Sequence, residues 1–498
     1  MEDRNPTEMT TENDNNNLNN NDDALDPNIE GQIEEYDEEL DGDDGEDDDD
    51  LAEEGEEVTE GQEAAQGDAG FGLNHRLKNL TQVSHESNDS LRRRRKRAKI
   101  NKLTGRNFKS KKGRNGENLG PDFSSEFDPR SETEEYTGYI QVLDGGHALM
   151  RSERASFVSQ EGDILVTREM VQRFGLRSGH KIHGFVRAKK NRKKIVTNLL
   201  EIQDQPVEAW QPSPMFHTLT SVNPFEFFRL SAPTDEDKSM GLLELLTPIG
   251  KGQRGLIVAP PRTGKTMLME KIANGIAFNH PDADIILLLI DERPEEVTHL
   301  TRRVKAKVYA SCLDKPIEEH IALTEMVIEI AERKVEGGRD VVILLDSITR
   351  MSRAFNNQLK SSGRTLSGGV DAKALQEPKK FFGAARKLEE GGSLTIIATT
   401  LVQTGSQMDE VIFQEFKGTG NMELVLNRRL AEKRIYPAID IAMSGTRREE
   451  LILPPDYYKA ATKFRRYLAN MTEANQMPAA IQALEKYRTT QEFVQAFQ

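Results

Sequence analysis

The sequence predicts an α/β protein: a parallel sheet with helices on both faces, preceded by a small β-barrel and a long disordered N-terminal extension. Three observations support this prediction: apolar runs that alternate with helical stretches after about residue 240, short strand-like runs before residue 205, and strong segregation of charge near the N-terminus. The predicted segments are an acidic tail at 1–70, a basic arm at 71–134, the barrel at 135–205, a connector at 206–240 and the α/β domain at 241–498.

The N-terminal extension contains two blocks of opposite charge. Residues 1–70 hold 29 Asp and Glu and one Arg, whereas residues 71–118 hold 15 Lys and Arg and three Asp and Glu. The formal net charge of −16 therefore comes from these blocks, and the remainder is neutral. Segments with high charge and few apolar side chains cannot offset their ordering entropy by burial, so both blocks are predicted to be disordered.

The basic block contains the run "LRRRRKRAKINK" at 91–102. Clustered Arg and Lys are typical of arms that bind nucleic acid through its phosphates. A solvated linker is the alternative, and the acidic tail is a candidate to pair with the arm and mask it.

The barrel is predicted from short runs of strand-forming residues separated by turn residues. About five such strands without a helical pattern indicate a barrel of the oligonucleotide-binding type. The runs are "YTGYIQVL" at 136–143, "GDILVT" at 162–167, "HKIHGFVRA" at 180–188 and "KKIVTNLLEI" at 193–202.

The α/β domain is predicted from apolar runs without alternation, which buried parallel strands require. Helical stretches such as 266–279 and 316–338 lie between the runs, so helices are expected on both faces of the sheet. The runs are "RGLIVA" at 254–259, "IILLLI" at 285–290, "VVILLD" at 341–346 and "SLTIIATTL" at 393–401.

The cellular location is predicted to be cytoplasmic, without a membrane partner. The single cysteine, Cys312, excludes an internal disulfide and fits a reducing compartment. The N-terminus shows no signal peptide, and no run of about 18 apolar residues is present to span a membrane.

A phosphate-binding loop is predicted between the first strand of this domain and the helix after it. The eight residues "APPRTGKT", 259–266, fit the pattern G-x-x-x-x-G-K-[ST] everywhere except at Ala259. Backbone N–H groups at the helix start would cradle phosphates, Lys265 would meet the β- and γ-phosphates of ATP, and the Thr266 hydroxyl would ligate Mg²⁺. Alanine is compatible with the first position if its φ is negative, because only positive φ favours glycine.

Two strand ends carry carboxylates suited to the same site. Asp346 ends the run "VVILLD", where ligands bind in such sheets, and is a candidate to hold Mg²⁺ directly or through the ion's waters. Asp291, Glu292 and Arg293 end another strand, where they could polarise an attacking water. A surface ion pair is the alternative for this second group.

Two arginines lie far from the loop in sequence, Arg434 in "AEKRIYPAID" and Arg447 in "SGTRREE". Either is a candidate arginine finger that a neighbouring subunit supplies to the transferred phosphoryl group. A solvated arginine is the alternative for each.

In this order, the motifs resemble the bacterial transcription termination factor Rho family. The resemblance is dense over roughly 240–455 and loose over 135–240. It rests on "GKGQRGLIVAPPRTGKTM", "IDERPEEVTHL", "LLDSITR", "GGVDAKAL", "QEFKGTGNMEL", "AEKRIYPAID" and "SGTRREE". The Ala-Pro-Pro start of the loop is itself typical of the family.

The resemblance implies a RecA-like core in a homohexameric ring that hydrolyses ATP with Mg²⁺. It implies movement 5′ to 3′ along nascent single-stranded RNA and dissociation of the transcription complex, with RNA polymerase and elongation factors as further partners. It also implies the catalytic roles: Glu292 as the base, Arg293 as its assistant, Arg447 as the arginine finger and Arg434 as a link between neighbouring sites, with Lys265 on the phosphates.

The resemblance further implies sets of binding residues. The ATP contacts are Gly250, Lys251, Gly252, Gln253, Arg254, Gly255, Arg262, Thr263, Gly264, Lys265, Thr266, Met267, Arg293 and Tyr436, where Tyr436 stacks on adenine. The metal ligands are Thr266 and Asp346. The RNA contacts are Thr365, Leu366, Ser367, Gly368, Gly369, Val370, Asp371 and Gln407 in the pore, and His147 and Arg151 in the barrel.

The chain departs from the family pattern at the RNA contacts. His147 and Leu149 replace an aromatic pair, Leu165 replaces a further aromatic, and Gln407 stands where a lysine is usual. Stacking contributes about 1–3 kcal/mol per base, so the RNA site of the barrel is expected to be weak or altered. The basic arm, which occupies the place of the family's small N-terminal helical module, is expected to supply the lost affinity.

Two other functions fit parts of the sequence. A rotary ATP synthase or a type III export ATPase shares the core fold, but the pore segments "SGGVDAKAL" and "FKGTGN" favour the Rho family. A passive RNA-binding protein with a vestigial ATPase is the second alternative. Intact residues at Lys265, Thr266, Glu292, Asp346 and Arg447 argue against it.

Overall fold

The structure is a computed structural model that describes residues 132–190, 193–233, 237–359 and 367–497. The predicted acidic tail and nearly all of the predicted basic arm lie outside these residues. The described residues all belong to one compact unit, Glu117–Gln498.

The first part of this unit is a closed β-barrel, as the sequence predicts. Antiparallel pairing follows the order β3-β2-β1-β4-β5-β6, and a parallel pairing of Leu165 with Ile195 joins β3 to β5 and closes the barrel. The strands are β1 Glu134–Val142, β2 Ala148–Arg151, β3 Ile164–Val166, β4 Lys181–Ala188, β5 Lys194–Ile202 and β6 Gln205–Pro206, with helix α1 Arg168–Arg173 between β3 and β4. Alternate residues fill the interior, such as Ala148 and Met150 in β2.

The second part is a mixed sheet with a parallel centre. Its main path is β10-β9-β11-β13-β8-β14-β15, in which the first six strands are parallel and β15 is antiparallel; β12 pairs with β13 and with β7. The strands are β7 Ser221–Val222, β8 Arg254–Ala259, β9 Asp284–Glu292, β10 Lys307–Cys312, β11 Asp340–Asp346, β12 Arg386–Leu388, β13 Ser393–Leu401, β14 Met422–Val425 and β15 Gly445–Thr446. The four predicted strands are the central four, β8, β9, β11 and β13.

Helices cover both faces of this sheet. They are α2 Ser239–Leu246, α3 Lys265–Asn279, α4 Pro294–Arg303, α5 Ile317–Glu336, α6 Ile348–Gln358, α7 Gln376–Gly383, α8 Gln407–Phe416, α9 Arg428–Glu432, α10 Glu449–Ile452, α11 Pro455–Ala469, α12 Glu473–Glu485 and α13 Thr490–Ala496. Within β9, Leu287 and Leu289 pack on the face covered by α3 and α11, whereas Leu288 and Ile290 pack on the face covered by α5 and α6. Burial on both faces explains why the strand is apolar without alternation.

The barrel packs against helix α5. Gly179 lies in the left-handed region at φ 84°, and a Cβ there would come within 2.4 Å of the carbonyl of Glu329 in α5. Beside this contact, Arg177 Nη1 lies 2.8 Å from Glu336 Oε1, and Arg333 Nε lies 2.9 Å from Glu336 Oε2. Only glycine permits so close an approach of the two backbones.

A neutral histidine supports this interface from the barrel side. Burial, together with the nearby charges of Arg333 and Arg177, lowers the pKa of His180 to about 3. The unprotonated Nδ1 accepts a hydrogen bond of 2.9 Å from the Arg177 backbone N–H. The segment that carries Arg177 is thereby held in place against α5.

Among the helices of the described residues, none has both the length and the apolar character required to cross a membrane.

Candidate active site

The predicted phosphate-binding loop joins β8 to α3 at the carboxyl edge of the parallel strands. Ala259 ends β8 and pairs with Leu401 of β13, and it is not among the described residues with positive φ. Ala259 therefore meets the condition under which alanine can replace the usual glycine. Left-handed backbone occurs instead at Arg262, with φ 66°, and at Gly264, with φ 85°, the residue before α3.

Three predicted residues from three different elements meet at this edge. The Lys265 ammonium, at the start of α3, hydrogen-bonds Asp346 Oδ1 at the end of β11 and lies 3.9 Å from Glu292 Oε2 at the end of β9. Asp346 Oδ1 also accepts a hydrogen bond of 2.8 Å from Thr399 Oγ1 in β13. Asp346 and Glu292 are only 1% and 2% exposed, so the ammonium compensates two buried carboxylates.

Glu292 is held by two further donors. Arg350 Nη1 in α6 lies 3.0 Å from Glu292 Oε2 and also hydrogen-bonds the backbone carbonyl of Asp291. The Arg293 backbone N–H donates to Glu292 Oε1 at 3.0 Å. The Arg293 side chain is exposed, with Nη1 3.9 Å from Glu296 Oε1. These contacts fix the orientation of the Glu292 carboxylate.

A cleft of about 500 Å³ opens over these groups. Glu296, which reaches within 3.4 Å of the Thr266 hydroxyl, contributes to its wall. The lining residues are Ala259, Pro260, Pro261, Arg262, Thr263, Gly264, Lys265, Thr266, Met267, Glu292, Arg293, Glu296, Arg350, Leu401 and Thr404.

Tyr436 lies against the other side of the loop. A Cβ on Gly264 would be 3.3 Å from Tyr436 Cε1, so the ring lies directly on the glycine. The Tyr436 hydroxyl donates to the Ala431 carbonyl at 3.4 Å, and the side chain is half-exposed. A small pocket next to the ring is lined by Ser239, Thr263, Gly264, Met267, Leu268, Lys271, Leu426, Tyr436, Pro437 and Ala438.

Two other predicted parts of the ATP site, the Gly250–Gly255 run and Arg447, lie far from the phosphate-binding loop of the same chain. Gly250–Gly255 lies at the amino end of β8, where the Gly252 N–H donates to Thr395 Oγ1 at 2.8 Å. The Arg447 N–H donates to the Asn421 carbonyl at 2.8 Å, and Asn421 Oδ1 accepts from the Arg254 N–H. At about 3.3 Å per residue, β8 separates this end from the loop by roughly 17 Å. Within one chain, the sets 250–255 and 262–267 therefore do not form one site.

Arg434 is exposed and lies two residues before Tyr436, with a left-handed backbone at φ 61°. It therefore lies on the loop side of the sheet, on the surface of the chain. Its own backbone N–H donates to the Ala431 carbonyl at 3.0 Å.

The two predicted pore segments come together, although Thr365 and Leu366 lie outside the described residues. A short 3₁₀ turn, Ser367–Gly369, packs against the start of α8, where a Cβ on Gly368 would meet the Gln407 carbonyl at 2.9 Å. Gln407 is exposed. Val370 and Asp371 differ from the expectation, because both side chains are buried and do not face solvent.

Among the barrel residues singled out from the sequence, one is bound by neighbouring side chains and the others are partly exposed on the outer face. Arg151 is only 7% exposed, forms an ion pair with Asp163 and donates from Nε to Gln141 Oε1 at 2.8 Å. The structure thus gives Arg151 a role in holding the barrel, which the sequence did not predict. Leu149 pairs with Leu165 across β2 and β3, and both are half-buried on the outer face, as is His147 near the start of β2.

Two residues that hold the carboxylates of this site were not predicted from the sequence. Arg350 lies one helical turn after Asp346, within the motif "LLDSITR", and contacts Glu292. Thr399 lies near the end of a predicted strand and contacts Asp346. The signal that could have identified Thr399 is a hydroxyl near the carboxyl end of a strand that neighbours the one ending in Asp346.

Two family profiles match the two parts of the described unit. The ATP synthase alpha/beta family, nucleotide-binding domain, matches residues 240–446, and the Rho termination factor, RNA-binding domain, matches residues 136–208. The first description names a nucleotide-binding domain, and the second names an RNA-binding domain.

Proteins named transcription termination factor Rho are similar to this chain over most of their length. The protein of Cereibacter sphaeroides is 49% identical over 360 residues, which cover 72% of this chain and 85% of the relative. The protein of Haemophilus influenzae is 49% identical over 360 residues, covering 72% and 86%. That of Aquifex aeolicus is 47% identical over 365 residues, covering 72% and 84%. With this identity and coverage, and with both parts of the fold matched, the chain belongs to the transcription termination factor Rho family.

Proposed function

We propose that this protein is an RNA-dependent ATPase that moves 5′ to 3′ along nascent RNA and terminates transcription by dissociating the transcription complex. The observation that carries the proposal is the meeting of Lys265, Glu292 and Asp346 at the mouth of the phosphate-binding loop. Membership of the Rho family supports the choice of RNA as the track. RNA polymerase and its elongation factors are the partners that this activity requires, and in bacteria the cytoplasm is where they meet nascent RNA.

The residues of the cleft have different roles in ATP hydrolysis. Lys265 exchanges Asp346 for phosphate oxygens when ATP enters, which replaces one anionic partner of the ammonium with another. Glu292 then orients and deprotonates the attacking water, because its carboxylate is buried and fixed by Arg350. The loop N–H groups at the start of α3 supply further donors to the phosphates.

The residues present fit a Mg²⁺ ion. Thr266, the residue after Lys265, offers a hydroxyl, and Asp346, which Lys265 contacts, offers a carboxylate oxygen; hard divalent cations prefer oxygen ligands. When bound with ATP, the ion would neutralise charge on the phosphates. Thr399 holds the Asp346 carboxylate in position for this role.

A ring of six identical subunits would complete each site. Arg447 lies at the opposite end of β8 from its own loop, so it reaches phosphates only if they belong to a neighbour. The Gly250–Gly255 run shares that end and would approach the same neighbouring site. A head-to-tail ring brings these two unlike faces together at every interface.

The RNA track would pass the segments at Gly368 and Gln407, which the fold holds side by side. Gln407 is exposed but carries no charge, so it can hydrogen-bond a phosphate without the attraction of the usual lysine. On the barrel, Leu149 and Leu165 offer apolar contact but no aromatic face.

The proposed activity is tested by ATP hydrolysis without nucleic acid and with poly-C, poly-U or duplex DNA. We expect single-stranded RNA to stimulate hydrolysis and duplex DNA to leave it unchanged. A rate that is the same with and without RNA would favour the export-type ATPase and contradict the proposal.

The basic arm is expected to carry part of the RNA affinity that the barrel lacks. Binding through arginine and lysine side chains depends on phosphates, so it should be tolerant of sequence and fall steeply with salt. Deleting the acidic tail should tighten binding at low salt, because the tail competes for the arm. The measurement is RNA binding by the full chain and by chains that begin at residues 71 and 119, at several salt concentrations.

The chain beginning at residue 119 is the control for the arm. We expect it to bind RNA more weakly than the chain from residue 71, with a shallower salt dependence. Equal affinity and equal slope for these two chains would show that residues 71–118 are a linker.

A further inference from the structure

Helix α11 has a basic outer face. Its apolar residues, such as Phe464, pack into the core on the side of the sheet that α3 also covers. On the outer side, Lys459, Lys463 and Arg466 follow one another at spacings of four and three residues, and all three are exposed. Residues at these spacings are neighbours on a helix surface, so the three cations form a single row. At 1.5 Å per residue, the row is about 10 Å long.

The cations of this row have no carboxylate partners, unlike exposed cations on two other helices. Lys380 Nζ lies 2.6 Å from Glu377 Oε1 in α7, and Arg428 Nε lies 2.9 Å from Glu432 Oε1 in α9, each about one turn away. Among the ion pairs of the described residues, none includes a member of the α11 row. Like charges at such spacings repel one another, so the row destabilises the helix unless an anion lies against it.

A tyrosine stands at each end of the row. Tyr458 precedes Lys459 and is 37% exposed, and Tyr467 follows Arg466 and is 46% exposed. The Tyr467 ring packs against Phe497 with the ring centroids 6.4 Å apart, which restricts its orientation. Exposed aromatic rings stack on unpaired bases, and cations clustered along a helix bind phosphates. The combination is typical of surfaces that hold single-stranded nucleic acid.

The outer face of α11 lies across the sheet from the other predicted RNA contacts. The barrel packs on α5, and the pore segments contribute Val370 and Phe416 to the core on that side of the sheet. Helix α11 packs on the opposite side, with α3. A strand of RNA on α11 would therefore make contacts in addition to those at the barrel and the pore segments.

We propose that the row Lys459, Lys463 and Arg466, together with Tyr458 and Tyr467, is a further binding surface for single-stranded RNA. The cations contact phosphates, and the tyrosines stack on bases. This inference takes from the proposed function only the choice of RNA as the ligand. The acidic tail at 1–70 is the other polyanion available to the row, but it has no bases to stack on the tyrosines.

The test removes the cations and the tyrosines separately in the full-length protein. One variant combines Lys459→Gln, Lys463→Gln and Arg466→Gln, and its binding of poly-U is measured at several salt concentrations. Each phosphate contact with a single strand contributes about 0.7 to the slope of log affinity against log salt, so three contacts contribute about 2. The ratio of wild-type to variant affinity should therefore grow about 16-fold as salt falls from about 200 mM to 50 mM.

The variant that combines Tyr458→Leu and Tyr467→Leu should behave differently. Leucine keeps apolar contact with Phe497 but has no aromatic face. We expect the affinity for poly-U to fall about fivefold or more at every salt concentration, while the salt slope keeps its wild-type value. A role of these side chains in stability alone would not separate the two variants in this way.

A variant with Arg302→Gln, Lys305→Gln and Lys486→Gln is the charge-matched control. These three cations are also exposed, but they do not form a row between two exposed tyrosines. The control has the same net charge as the α11 cation variant, so an effect of net charge alone would appear in both. We expect it to bind poly-U with the wild-type affinity and slope.

Three results would overturn the inference and leave the proposed function standing. An α11 cation variant with the wild-type salt slope would show that the row does not contact phosphates. If the effect of that variant disappears in the chain that begins at residue 71, the row binds the acidic tail and not RNA. If the variant loses the assembly state of the wild-type protein, measured as its mass in solution, the face is an interface between subunits. Absence of RNA binding by the wild-type protein would contradict the proposed function as well.

Discussion

Glu292→Gln is expected to bind ATP as the wild-type protein does and to hydrolyse it about 10²–10⁴-fold more slowly. Glutamine keeps the size of the side chain and can still accept from Arg350, but it cannot take a proton from water. The measurement is nucleotide binding in parallel with steady-state hydrolysis in the presence of RNA. Wild-type turnover in Glu292→Gln would remove Glu292 from the mechanism.

Two comparison variants show whether the effect of Glu292→Gln is specific to the hydrolysis step. Lys265→Ala should lose binding as well as hydrolysis, because it removes the cation that meets the phosphates. The substitution also leaves Asp346 buried without the Lys265 ammonium, so the thermal unfolding of the variant must be measured as well. Glu295→Gln, at an exposed position three residues away on α4, makes the same chemical change outside the site and should behave as the wild type.

Mixtures of Arg447→Ala and Lys265→Ala subunits are expected to regain activity that neither variant has alone. An Arg447→Ala subunit keeps an intact loop, and a Lys265→Ala subunit keeps an intact arginine, so an interface that pairs them in the right order is complete. With random assembly in a head-to-tail ring, about one interface in four has this composition. The loss in each pure variant should be large, because an arginine finger contributes about 10³–10⁵ to turnover in related phosphoryl transfers.

The mixing experiment depends on subunit exchange, which a pair of matched mixtures controls. Wild-type subunits mixed with Lys265→Ala subunits report whether rings with mixed composition form. Arg448→Ala, at the exposed neighbour of Arg447, should stay active without mixing. Mixtures of Arg447→Ala and Lys265→Ala that never exceed either pure variant, in rings shown to be mixed, would contradict a site shared between subunits.

The sequence predicts strands best where they are buried on both faces of the sheet. The central strands β8, β9, β11 and β13 are buried on both faces, so their apolar runs are continuous and easily recognised. The edge strand β10 and the strand β14 include Lys307 and Glu423, which interrupt the apolar pattern, and neither was predicted. A strand at a sheet edge needs less apolar surface, so its composition carries a weaker signal.

Prediction of the site from the sequence is likewise limited to residues whose positions depend on local sequence. Lys265 and Asp346 could be predicted because each is fixed to a strand end or helix start by local sequence. The contact of Arg350 with Glu292 joins residues 58 positions apart. The separation of Arg447 from the loop depends on which end of β14, the neighbour of β8, pairs with β15. The resemblance to the Rho family implies that Gly250–Gly255 and Arg262–Met267 bind one ligand, but the direction of β8 places them at opposite ends of a strand.

The packing of the barrel on α5 has a mechanical consequence. Gly179 and the Arg177–Glu336 ion pair join the barrel to the carboxyl-terminal half of a helix about 30 Å long. Only three residues separate that end from β11, and the far end of β11 is Asp346. A force applied to the barrel would thus reach the strand that carries Asp346 through one helix and one strand of the sheet.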